Sequence, residues 1–413
     1  MQEQLIERAS LLFEQKRYAE AQKVLMEILA LSPNNVQSIV LLVEIKIHNE
    51  TWNEAIELIE NAIAIDPEFD VLFYLKAKIY FLQNKTDLSI QNLKIAIGID
   101  PYEANNFAFL GHVLLHKKQF SEALNNANQA LEIDATHIFA LNVRSTALLK
   151  LNLKTDAFET IEDALNEDPN NAFTHANYGW GLLEKGNNDK ALEHFSESLK
   201  NNPNSEYAQA GMAEALKSKY WIYRWFLKYS FWMNNLTSKN QWAFIIGFYI
   251  ISRILRKIAH ASPSLAPFLI PVIVLLAIFA LSTWIINPLT NLLFSLNKFG
   301  KHLLSKEEKK SALFVGLSVG IMFIGLIFYL ITQQELGIFL TVFGFTMMLP
   351  SGRFYEQPKM FFKIYPFVLL ILAILAVIQA SITGEMFNTF VMIYLFGIFG
   401  YQWVANFFAI KSN

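Results

Sequence analysis

Apolar and polar positions in the first half of the chain follow helical spacing, and the pattern itself recurs. A polar residue followed by proline falls at Ser32-Pro33, Asp66-Pro67, Asp100-Pro101, Asp168-Pro169 and Asn202-Pro203, with Asp134-Ala135 in the remaining place, every 34 residues. Twelve residues before each proline position stands a small side chain: Ala21, Ala55, Ser89, Ala123, Ala157 and Ala191. Eight before it is a bulky apolar one (Leu25, Ile59, Leu93, Ile161 and Phe195), with Ala127 breaking the run. Five before it, Ala62, Ala96, Ala130, Ala164 and Ser198 are small again. Earlier in the period, Ala9, Ala77, Gly111, Ser145 and Gly179 share one register. Each period therefore predicts two helices, small residues letting them approach and proline setting the turn before the next. One such pair cannot bury its apolar face alone, so six pairs are expected to stack over residues 2–203. Residues 204–219 read as a polar-faced seventh helix capping the stack.

This pattern resembles the tetratricopeptide repeat. The likeness is weaker in the first two units, where Arg8 and Val43 stand at pattern positions. The resemblance implies a right-handed superhelix whose first helices line a groove. Carried onto this sequence, the groove positions are Phe13, Val40, Tyr74, Lys78, Phe81, His112, Phe139, Asn142, Thr146, Phe173 and Trp180, with Glu44 and Glu184 near the ends. A mixed aromatic and polar groove accepts an extended peptide or a partner helix. The blander alternative is that some of these rings only pack between helices. The relatives that clamp chaperone C-termini need paired Lys/Asn and Lys/Arg. Those positions hold Ile6/Ser10, Val40/Glu44 and Tyr74/Lys78, so that clamp is absent.

The hydrophobic pattern changes at Tyr220. Residues 220–233 pack Trp221, Trp225 and Trp232 among tyrosines and two cations, a short amphipathic segment that predicts an interfacial helix, with Trp242 following. A helix facing the core of a membrane domain is the alternative. Longer apolar runs come next: 242–258, 266–286, 311–332, 336–349, 366–383 and 387–410, six candidate spans over residues 241–413. Residues 336–349 are short and need their flanks. Residues 242–258 carry Arg253, Arg256 and Lys257, so a re-entrant pair with 266–286 is the alternative there. Asn287-Pro288 is expected to begin a separate amphipathic helix on the inner surface. The expected fold is all-α, a solenoid followed by a polytopic membrane domain. The second half resembles uncharacterised bacterial membrane proteins with the same two-part layout.

Charge sharpens this division. Residues 1–219 hold 19 Lys and Arg against 31 Asp and Glu, and the remainder holds 15 against 5. An acidic first half argues against nucleic-acid binding. In the second half, 298–310 and 351–363 are basic, whereas the stretches around Glu335 and Glu385 carry no Lys or Arg. This alternation predicts basic loops on the cytoplasmic side. The first residues lack a basic stretch followed by an apolar one, so no signal peptide is read there, and the solenoid is expected in the cytoplasm beneath an inner membrane.

Little else points to chemistry. There is no cysteine. Gly316-Leu317-Ser318-Val319-Gly320 matches a nucleophile-elbow pattern but lies within an apolar run, with no histidine after His302 to serve as base. Close helix packing is the better reading. His112 and His116 stand four apart, a metal-compatible spacing with no further ligand motif. No phosphate-binding glycine motif occurs. The sequence reads as a non-enzymatic, cofactor-free, membrane-anchored scaffold that binds a protein or peptide partner. A transporter or channel subunit with a regulatory solenoid, and an assembly factor for an envelope complex, are the alternatives.

Overall fold

A computed structural model describes residues 2–296, 304–355 and 359–412. All regular structure among them is α-helical. The chain divides into two compact units, Met1–Gly181 with His194–Pro203, and Leu182–Glu193 with Asn204–Asn413.

The 34-residue period becomes paired helices, the last pair being divided between the two units. First helices are α1 (Gln2–Glu14), α3 (Val36–His48), α5 (Asp70–Leu82), α7 (Ala104–His116), α9 (Ile138–Lys150) and α11 (Ala172–Lys185). Second helices are α2 (Tyr18–Leu31), α4 (Trp52–Ile65), α6 (Thr86–Ile99), α8 (Phe120–Ile133), α10 (Lys154–Glu167) and α12 (Asn188–Asn201). The small residues are where the helices touch: Ala21, Ala55, Ser89, Ala123, Ala157 and Ala191 are fully buried. Gly111 shows the tolerance of this packing, since a Cβ there would meet Val143 Cγ1 at 3.0 Å and the Ala123 carbonyl oxygen at 3.1 Å. At Gly179 it would strike the Phe195 ring at 2.7 Å.

Two turns repeat with the helices. Between pairs, the marker carboxylate accepts the amide two residues on, at Asp66, Asp100, Asp134 and Asp168, over 2.9–3.3 Å. This Asx turn needs no proline, which explains why Ala135 serves where its counterparts are Pro. Within pairs, the residues at 16, 50, 84, 118, 152 and 186 all have positive φ, between 57° and 90°. Gly186 is the glycine such a site favours; the others are Lys, Glu, Asn, Lys and Asn. The amide after each turn reaches back five residues, as from Arg17 to the Leu12 oxygen and from Thr51 to the Lys46 oxygen. That bond closes the end of the first helix.

In the second unit, α13 (Glu206–Lys217) has Ser205 as its N-cap, the Ser205 hydroxyl accepting from the Ala208 amide. Next comes α14 (Trp221–Asn235). Tyr223 and Leu227 are its buried face, and the Tyr223 hydroxyl donates to Glu214 Oε2 at 2.6 Å. Helix α15 (Ser238–Ala261) is followed by α16 (Ala266–Leu296). Helix α16 runs unbroken through Pro271 and Pro288, where the sequence predicted a new helix at Asn287. Pro288 is accommodated because its ring packs against the bare backbone of Gly352, where a Cβ would lie 2.6 Å from Pro288 Cγ. The expected amphipathic segment continues into residues 297–303, outside the described residues.

Four further helices are α17 (Lys306–Thr332), α18 (Glu335–Arg353), α19 (Met360–Thr383) and α20 (Thr389–Ser412). Each contains a stretch long and apolar enough to cross a membrane. Helix α18 reaches that length because it continues past Leu349 through Pro350 to Arg353. Helices α17 and α18 form a hairpin turned by Gln333 at φ 58°. Glycines bring the two backbones together: a Cβ on Gly325 would lie 2.6 Å from the Thr341 amide nitrogen, and one on Gly344 2.5 Å from the Ser318 oxygen. Ser318, the centre of the elbow-like motif, is buried in this contact. Its hydroxyl donates to the Phe314 oxygen at 3.0 Å and lies 3.2 Å from Ser351 Oγ. It is a packing residue here, with no histidine bonded to it among the described residues.

Candidate partner-binding groove

First helices of neighbouring repeats touch one another, α1 with α3, α3 with α5 and α7 with α9, and ring contacts join α5 to α7. Seven of the sequence-derived positions fall on three successive first helices, and five of them belong to one row. Tyr74, Lys78 and Phe81 lie on α5, His112 on α7 and Phe139 on α9, and all five are half-buried. The rings form a chain: Tyr74 to Phe109 (5.3 Å between centroids), Phe109 to Phe81 (5.8 Å), Phe81 to His112 (5.3 Å) and His112 to Phe139 (5.5 Å). Phe109 is the link that sequence reasoning did not single out. It is buried, three residues before His112, and its helical register with His112 and His116 is the signal that would have found it. The exposed His116 ring packs edge-on against Phe81 at 5.4 Å.

Burial sets the electrostatics of this row. The His112 imidazole is pushed down to about 4 by burial first and by the His116 charge second, so it is neutral at physiological pH. Burial raises Tyr74, helped by Glu44 and Glu103, so it stays an uncharged hydroxyl. The paired histidines lack a further ligand: no group of three metal-binding side chains exists among the described residues.

The other predicted positions separate from this row. Phe13 packs edge-on against Tyr18 at 5.5 Å. Phe173 is 46% exposed on α11. Trp180 is half-buried, edge-on to Phe195 at 5.7 Å. Asn142 is 2% exposed and faces other helices. Its amide donates to Thr174 Oγ1 at 2.8 Å, and its side-chain oxygen accepts from Asn177 Nδ2 at 3.1 Å. A similar buried bond joins Asn106 Nδ2 to Asp70 Oδ2 at 2.9 Å. These links fix the spacing of successive first helices; in a dry setting they cost free energy if broken on one side. In the second unit, Trp221 and Trp225 are 70% and 72% exposed, Trp232 is also exposed, and Trp242 stacks on Trp403 at 5.8 Å.

Residues 12–79 match the family model of the tetratricopeptide repeat. Beyond the matched residues, the same 34-residue helix pairs continue to Asn201. Tetratricopeptide-repeat arrays bind proteins or peptides. Similar solved structures include Pseudomonas aeruginosa pilF, 17% identical, covering 52% of this chain and 97% of that one, with a TM-score of 0.43. A tetratricopeptide repeat protein from Parabacteroides merdae is 13% identical over 55% of this chain and 91% of its own, with a TM-score of 0.44. YrrB, described as a TPR protein with an unusual peptide-binding site, is 17% identical over 45% of this chain and 96% of its own, with a TM-score of 0.34. A search of curated proteins finds no match.

Proposed function

We propose that this chain is a membrane-anchored scaffold whose repeat array captures an extended peptide or a helix of a partner protein along its first-helix face. The carrying observation is the connected row of half-buried rings Tyr74, Phe81, His112 and Phe139, flanked by Lys78. Half-buried rings held rigid by their neighbours offer apolar area at small entropic cost, the property of interface anchors. Exposed Phe173 and half-buried Trp180 extend the anchor set along the array. Asn142 acts behind the groove, spacing α9 and α11.

In this reading the array spans residues 1–219, residues 220–240 form an interfacial linker, and residues 241–413 form the membrane domain with six spans. The apolar helices α17 to α20 support the anchoring. The basic stretches 298–310 and 351–363 support a cytoplasmic array under the positive-inside bias. Trp221, Trp225 and Trp232 sit at headgroup level, where amphipathic rings are favoured.

The test is affinity capture from mildly solubilised membranes, comparing the native chain with Phe139→Glu plus Trp180→Glu, and separately with Phe173→Glu, whose ring is already exposed. A partner held by the native chain and lost from the variants at unchanged helicity supports the groove. The same partners retained by both variants would move the function to the membrane domain.

A further inference from the structure

No Asp or Glu occurs between Glu214 and Glu307, while eleven Lys and Arg fall in that interval. Three of these, Arg253, Arg256 and Lys257, stand with His260 near the C-terminal end of α15. At 3.6 residues per turn they and Tyr249 occupy about 100° of the helix circumference. They line one open groove. Beside this stripe, Ile250, Ile251, Ile254 and Ile258 are exposed. Arg256 Nε donates to the Ser252 oxygen at 3.2 Å, and no carboxylate among the described residues pairs with Arg253, Arg256 or Lys257.

Cations clustered beside bare isoleucines need a ligand that is anionic and apolar at once. A soluble polyanion would neutralise the stripe and leave the isoleucines wet. A phospholipid supplies a phosphate for the stripe and acyl chains for the isoleucines. Arg253 lies eight residues before the helix end, about 12 Å by the helical rise, within reach of snorkelling side chains. We infer that the last three turns of α15 form a headgroup site for anionic phospholipid, in the leaflet reached by the α15–α16 connection. This rests on the membrane reading above. It also gives a role to three cations that the proposed topology puts on the side opposite the basic loops.

The experiment uses the full chain reconstituted in phosphatidylcholine vesicles with trace spin-labelled phosphatidylglycerol or phosphatidylcholine, and reads relative association with the protein. The native chain is expected to prefer phosphatidylglycerol at least about fivefold, the factor that one Lys or Arg near a surface supplies. Arg253→Gln/Arg256→Gln/Lys257→Gln is expected to bring the ratio close to one, and Arg253→Lys/Arg256→Lys to keep it. No preference in the native chain, or an undiminished one in the glutamine variant, overturns the assignment. So does abolition of the preference by inorganic pyrophosphate at constant ionic strength, which would mark a free-anion site. Release of the native chain from vesicles by alkaline carbonate would instead remove the membrane reading, and the lipid site with it.

Discussion

The left-handed turn at Glu50 can be relieved by one substitution. Glu50 sits at φ 57° with an exposed side chain, its amide bonded to the Ile47 oxygen at 3.1 Å. A side chain in this region costs about 1–2 kcal/mol of backbone strain. Glycine removes that strain but brings about 0.5–1 kcal/mol of extra chain entropy in the unfolded state. The net expectation for Glu50→Gly is about 0.5–1 kcal/mol of added stability. Glu50→Ala keeps the strain and removes the charge, so it is expected to change little. Gly186→Ala, at φ 90°, is the reverse experiment and is expected to cost about 1 kcal/mol. The assay is native-state hydrogen exchange by mass spectrometry on the full chain in detergent, read at the amides of α3 and α4. Exchange through local opening should slow about two- to fivefold in Glu50→Gly. Equal slowing in Glu50→Ala would show that the charge mattered and the backbone did not, and faster exchange in Glu50→Gly would refute the strain argument outright.

Two further outcomes are expected. His112 has its imidazole held down to about 4, against 6.5 in the unfolded chain. Between those values the unfolded state binds a proton that the folded state does not, so stability falls as pH drops from about 6.5 towards 4. The loss should reach roughly 2–3 kcal/mol and vanish in His112→Phe, as followed by urea melts across that pH range. At the α17–α18 hairpin, Gly344→Ala forces a methyl against the Ser318 oxygen and the Met322 backbone, and should cost about 3 kcal/mol or more. Gly320→Ala, with nothing within 4 Å of its Cβ, should be neutral in the same detergent thermal melts.

The legible part of the fold was the part written as period. Small residues at fixed offsets, such as Ala55, Ala123 and Ala157, are legible because two helices can approach only where side chains are small, and that requirement recurs identically in each unit. The left-handed turns were not legible. Lys16 and Glu50 carry no local signal for positive φ; the packing of each helix pair imposes the turn and absorbs its strain. Tyr74, Phe81, His112 and Phe139 stand at positions that the repeat resemblance implied, and ring contacts join them into one row; Phe109, in helical register with His112, links that row from a buried position that tertiary packing decides. Asn142 illustrates the converse. Its position matched a groove site, but Thr174 and Asn177, over thirty residues away, turn it inward.

By itself, then, the sequence determined the helix pairs, their period and the contrast between an acidic repeat half and an apolar, basic half, because these follow from spacing, side-chain size and charge along the chain. Tertiary structure decided how α16 passes Pro288 unbroken against Gly352. It decided that Ser318 is a packing residue of the α17–α18 contact. It also decided which aromatic rings join into one row, because each of these depends on what a distant backbone or ring places within a few ångströms.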